Sequence, residues 1–138
     1  MRALAATVEP TGAPAGEVAV VLRVENTSGA AVAVPDPDLG RPSDDSDWPH
    51  SLEAYRASLM LSFGMLAVSV RDADGEEVAK AAVSTWSTPY RRPDLRLAPG
   101  GKLDVVIPLG PLFELRPGEH YRVAAKFGPA RGEGDVVA

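Results

Sequence analysis

The feature that most constrains this chain is a period-two alternation of apolar and polar residues, cut into short runs by Gly and Pro. Val18, Val20, Leu22 and Val24 fall on one face of an extended run and Ala19, Val21, Arg23 and Glu25 on the other, which predicts a half-buried strand. Asn26-Thr27-Ser28-Gly29 has turn chemistry, and Val32 and Val34 resume the alternation until Pro35, so this pair reads as a hairpin. Leu66, Val68 and Val70 alternate with Ala67, Ser69 and Arg71, after which Asp72-Ala73-Asp74-Gly75 turns the chain towards Val78 as a second hairpin. Leu103, Val105 and Ile107 make another strand that stops at Pro108, and Tyr121, Val123, Ala125 and Phe127 make one more. Leu4, Ala6 and Val8 at one end, with Val136 and Val137 at the other, read as edge strands. Leu97-Ala98-Pro99-Gly100 and Leu115-Arg116-Pro117-Gly118 set the same Pro-Gly corner ahead of two of these strands.

A strand with one apolar face has to bury it against another layer, so about seven to nine short strands imply an all-β sandwich rather than a helical fold. The 138 residues suit one domain, spanning 1–138, that buries roughly two-thirds of the surface its unfolded chain exposes. No apolar run reaches the roughly 18 residues of a spanning helix, so no membrane span is expected. Cysteine is absent, which excludes disulfides and thiolate metal sites and leaves stability to the core. Ala3-Leu4-Ala5-Ala6 is too short for the apolar core of a signal peptide, which points to the cytoplasm; a processed extracellular form, or a place within an assembly, stays open.

Residues 35–58 fit no strand and are longer than a plain connection, so they read as an insertion. Its first half is rich in Asp and Pro. In its second half Leu52, Tyr55 and Leu59, with Phe63 beyond, approach helical spacing behind Ser51 as a cap, which predicts a short helix. The net charge is −5, and residues 36–47 carry five aspartates against Arg41, so the acidity is concentrated there. Between Arg91 and Arg131 eight basic residues stand against four acidic ones. Such a bipolar chain is a poor general nucleic-acid binder, but its acidic loop and its basic carboxyl-terminal third could meet between copies as a homo-oligomer.

The strings Val24-Glu25-Asn26-Thr27-Ser28-Gly29, Asp72-Ala73-Asp74-Gly75 and Gly118-Glu119-His120-Tyr121-Arg122-Val123, with the paired Leu-x-Pro-Gly corners, together resemble small bacterial immunoglobulin-like accessory domains. The resemblance covers most of the chain outside the insertion. It implies an immunoglobulin-like β-sandwich and a binding or scaffolding role, since similar strings occur in domains attached to secreted metallopeptidases and in small intracellular proteinase inhibitors. Tyr121, just past a Pro-Gly corner, resembles the tyrosine-corner position whose hydroxyl bonds nearby backbone.

Chemistry-bearing constellations are sparse. Asp36, Asp38, Asp44, Asp45 and Asp47 supply enough hard oxygens for calcium, in a spacing that matches no defined calcium motif and equally suits a solvated loop. His50 and His120 are too few for a zinc site without carboxylates. No serine sits in a Gly-x-Ser-x-Gly elbow or a Ser-x-x-Lys pair, and no glycine-rich phosphate loop precedes a helix. Trp86, Pro89, Tyr90, Arg91 and Arg92 form an aromatic and basic segment that could grip an acidic partner or simply cover one end of the sandwich. Leu59, Met60, Leu61, Phe63, Met65 and Leu66 read as core or as an interface.

The expectation is a non-enzymatic protein-binding or assembly module without a cofactor, contacting its protein partner through Trp48, Tyr55, Trp86, Tyr90, Arg91 and Arg92. A proteinase inhibitor presenting Asp47-Trp48-Pro49 or Pro89-Tyr90-Arg91 is the alternative, and a calcium-binding domain a more distant one.

Overall fold

A computed structural model describes residues 4–12, 18–38, 51–80 and 93–138. The alternating run at 18–26 forms strand β2 (Val18–Asn26), flanked by β1 (Leu4–Gly12) and β6 (Lys102–Pro108) in an antiparallel sheet of order β1-β2-β6. Registers Val8↔Leu22 and Leu22↔Val105 set the apolar residues of three strands in one row. The opposite face carries Arg23, whose guanidinium pairs with Glu9 at 3.2 Å and which stands across from Asp104. β2 departs from the expected half-buried pattern: Ala19 and Val21, on the polar side of the alternation, are 2% and 5% exposed. The unbroken apolar run Ala19-Val20-Val21-Leu22 is the sequence trace of a strand segment buried on both faces.

The second sheet has the order β4-β7-β8, from β4 (Leu66–Arg71), β7 (His120–Phe127) and β8 (Ala130–Val137). Leu66, Phe127 and Ala130 share one row of its inner face, and Val70, Val123 and Gly134 another. The inner faces of both sheets pool into one core cluster, an arrangement compatible with a β-sandwich. Phe127, Leu22, Leu66 and Ile107 are fully buried, each contributing about 1.5–3 kcal/mol through removal from water.

Two devices join the sheets at their edges. On one side β8 lies directly on β1, since a Cβ built on Gly132 would stand 3.2 Å from the Ala6 backbone and one on Gly134 would overlap the Val8 carbonyl oxygen. The contact moves from Ala6 to Val8 as β8 moves from Gly132 to Gly134, so the two strands run in the same direction. On the other side α1 (Leu52–Ser62) contacts both β6 and β4. Ser51 caps it as expected, its Oγ accepting the Ala54 N–H at 3.2 Å. Gly64, at φ 71°, ends it: the Gly64 N–H reaches the Leu61 carbonyl and the Met65 N–H the Met60 carbonyl, a Schellman closure. Tyr55, Leu59 and Met60 are buried, so the helix belongs to the core and runs past the expected insertion boundary at 58. Of the apolar cluster that follows, Met65 and Leu66 are buried too, and Phe63 stays 40% exposed.

The first expected hairpin does not form. β3 (Val32–Val34) pairs with β5 (Leu95–Leu97), not with β2, whose two edges are already taken by β1 and β6. Asn26, expected as a turn residue, is a fully buried hub. Its side-chain nitrogen donates to the Ala30 and Leu97 carbonyls, both at 2.8 Å, and its Oδ1 accepts from the Ser28 N–H and hydroxyl at 2.9 and 2.7 Å. All four hydrogen-bonding positions of that amide are used.

The second hairpin forms as a short one, with Gly75 at φ 81°, Asp72 Oδ1 accepting the Asp74 and Glu76 N–H groups, and Arg71 bridging Glu77. The paired corners are indeed alike. Gly100 and Gly118 take φ 74° and 80°, and the Gly101 and Glu119 N–H groups close onto the Ala98 and Arg116 carbonyls, as a proline-glycine type II turn requires. Tyr121 Oη accepts the Arg116 backbone N–H at 2.7 Å, the bond expected of a tyrosine corner. Among the described residues no helix is long and apolar enough to cross a membrane.

Candidate functional site

Most residues singled out for partner contact, Trp48, Trp86, Tyr90, Arg91 and Arg92, lie outside the described residues, as do Asp44, Asp45 and Asp47. Tyr55 is 4% exposed, within the helix and against the core. Asp36 Oδ1 accepts the Asp38 N–H at 2.9 Å, and Asp38 pairs with Arg56 of α1 at 3.2 Å, which ties the start of the acidic stretch to the helix. These two carboxylates thus serve a local turn and an ion pair. Among the described residues no group of three or more His, Asp or Glu side chains is placed to hold a metal ion.

The surface with a distinct chemistry is the outer face of β4-β7-β8. Antiparallel register sets its side chains in rows: Ala67, Lys126 and Arg131; then Ser69, Ala124 and Glu133; then Arg71, Arg122 and Asp135; and finally His120 with Val137. Arg122 forks across two rows, one guanidinium nitrogen 3.0 Å from Glu133 Oε2 and the other 3.2 Å from Asp135 Oδ1. The hydrogen bond to Glu133, followed by those with Asp135, raises the Arg122 pKa above its ordinary value and holds the guanidinium charged.

That fork consumes both carboxylates of the face. Arg71 donates to the Gly75 carbonyl at 3.0 Å, which leaves Lys126 and Arg131. They stand directly opposite each other, both exposed, and neither has an ion-pair or side-chain hydrogen-bond partner among the described residues. Directly opposed like charges cost a sheet roughly 0.2–1 kcal/mol. Beside them lies an open depression of about 300 Å³ with Ala67, Ser69 and Ala124 at its floor. Two of these are alanines, so another chain can approach the sheet closely there.

The outer face of β1-β2-β6 is the useful contrast. It too holds an open depression, of about 620 Å³, but Arg23 stands opposite Asp104 and pairs with Glu9, and Lys102 stands opposite Glu25. Each cation there has a carboxylate across from it. The two outer faces therefore differ in how charge is compensated more than in shape.

Sequence reasoning placed Lys126 and Arg131 in a basic stretch without bringing them together. The available signal was Gly128-Pro129 between two extended runs: a two-residue loop pairs Phe127 with Ala130 and so sets Lys126 against Arg131. In comparisons with known proteins, the chain matches no family model and no curated protein sequence.

Proposed function

We propose that this chain is an immunoglobulin-like, non-enzymatic module that binds a protein partner, using the outer face of β4-β7-β8 as its contact surface. Strand order supports the fold reading. In chain order, β1, β2 and β6 correspond to strands A, B and E of an immunoglobulin constant-type domain, and β4, β7 and β8 to strands C, F and G. The Tyr121 bond to the Arg116 backbone stands at the start of the strand that corresponds to F, where a tyrosine corner belongs.

The observation that carries the binding reading is the uncompensated Lys126 and Arg131 pair beside a floor of small side chains on a rigid sheet. A surface that keeps a local electrostatic cost while the two carboxylates described on it are engaged by Arg122 is arranged for something that arrives from outside. The test compares three baits: the wild-type protein, Lys126→Glu/Arg131→Glu, and Arg23→Glu/Lys102→Glu on the opposite face. Proteins retained by each are identified, and the leading one is purified and titrated calorimetrically against all three. A partner bound by the wild-type and the opposite-face variant, and lost with the β7-β8 variant, is expected. Equal binding to all three baits would contradict this assignment of the face.

A further inference from the structure

Resting on that reading, we infer that the β4-β7-β8 face recognises an extended, carboxylate-bearing segment of another protein, with Lys126 and Arg131 sharing its acidic side chains and the Ala67-Ser69-Ala124 floor seating its chain. The charge complement is unambiguous. Four basic residues, Arg71, Arg122, Lys126 and Arg131, meet two acids on this face, and Arg122 holds both acids. Lys126 and Arg131 are register partners, so their Cα atoms lie about 4.5–5.5 Å apart and one carboxylate between them can accept from both.

Shape narrows the ligand further. A depression of about 300 Å³ on a sheet face accommodates a few side chains of an extended strand. Among the described residues the depression is lined by no Phe, Tyr or Trp on which bases could stack, the usual platform for single-stranded nucleic acid. Two cations also neutralise only a short anionic run, and the chain as a whole carries −5, which disfavours a long polyphosphate. At physiological salt charges separated by more than about 8 Å are largely screened, so a short acidic segment responds to the local pair.

Glu133 provides an internal control. It sits between Arg122 and Lys126 on the diagonal of the sheet and is held by Arg122 at 3.0 Å, at the rim of the depression. Removing its charge leaves the cation pair intact and deletes the nearest repulsion to an incoming carboxylate.

The experiment titrates the protein into a fluorescein-labelled peptide alternating Glu and Ser, its Gln-Ser counterpart and an oligothymidine, reading anisotropy at low and physiological salt. The Glu peptide is expected to bind and the Gln peptide to bind at least about tenfold more weakly, with the gap narrowing as salt rises. Lys126→Glu/Arg131→Glu should lose about tenfold in affinity for the Glu peptide, Arg23→Glu/Lys102→Glu less than about twofold, and Glu133→Gln should gain about twofold to threefold. Thermal melts verify that each variant is folded; the double reversal keeps a like-charged pair but sets it beside Glu133, so a small loss of stability is expected.

Equal binding of Glu and Gln peptides, no effect of the β7-β8 reversal, or tighter binding of oligothymidine through the same two residues would overturn the inference. Self-association that the reversal abolishes would make a second copy the occupant and overturn it as well. Failure here remains separable from failure of the parent reading. A captured partner that Ala67→Gln blocks, and the charge variants do not, keeps the face and rejects the acidic ligand; a partner that Ala67→Gln leaves untouched rejects the face itself.

Discussion

Asn26 and Gly134 each do something no neighbouring residue type could. Asn26 ties the end of β2 to Ala30, Ser28 and Leu97 through a fully buried amide, so Asn26→Ala removes four hydrogen bonds and takes from the half-buried Leu97 its side-chain donor. The expected loss is about 2–4 kcal/mol, read as a lower denaturation midpoint at unchanged slope in urea. Gly134 fits under the Val8 carbonyl only because it lacks a Cβ, whereas a Cβ on Gly132 would meet nothing closer than 3.0 Å. Gly134→Ala should therefore cost about 1–3 kcal/mol and Gly132→Ala clearly less, and the reverse order in thermal melts would contradict the close approach of β1 and β8. Neither role was legible beforehand. Asn26 followed by Thr-Ser-Gly carries turn chemistry, and nothing local in a sequence distinguishes an amide that turns the chain from one that anchors distant carbonyls.

Element by element, β4, β6 and β7 were legible because their apolar positions alternate and one face is buried, the condition under which period two is written into a sequence, and β2 was legible as a strand although its first half is buried on both faces. α1 was legible from Ser51 and the spacing of Leu52, Tyr55 and Leu59, and its stop at Gly64 was there to be read in the same way. β8 was legible only at Val136 and Val137, because its inward positions are Ala130, Gly132 and Gly134, chosen for closeness to β1 rather than for hydrophobicity. β3 was found but wrongly partnered, since pairing depends on which strand edges are free in space. Of the candidate surface, the basic stretch was legible and its register was not. Because α1 is part of the core, replacing residues 36–57 with a flexible linker should abolish cooperative unfolding, while Ser51→Ala should cost only about 0.5–2 kcal/mol; both are checked by calorimetry.

At the scale of the molecule, one outer face has each cation opposed by a carboxylate, whereas the other sets Arg71 against Arg122 and Lys126 against Arg131, and of these four only Arg122 holds carboxylates among the described residues. This difference predicts a trade between stability and binding. Lys126→Glu alone sets an acid opposite Arg131, so it should stabilise the free protein by about 0.2–1 kcal/mol while weakening the partner complex. A purely structural role for Lys126 would show the opposite sign in the melt. The most direct test of the binding face is a photo-reactive side chain placed at Ser69, on the floor of the β4-β7-β8 depression, and separately at Thr7 on the opposite face, in cells that make the protein. A discrete cross-linked product from position 69 and none from position 7 is expected; products from position 7 alone, or the same product from both, would rule out β4-β7-β8 as the binding face.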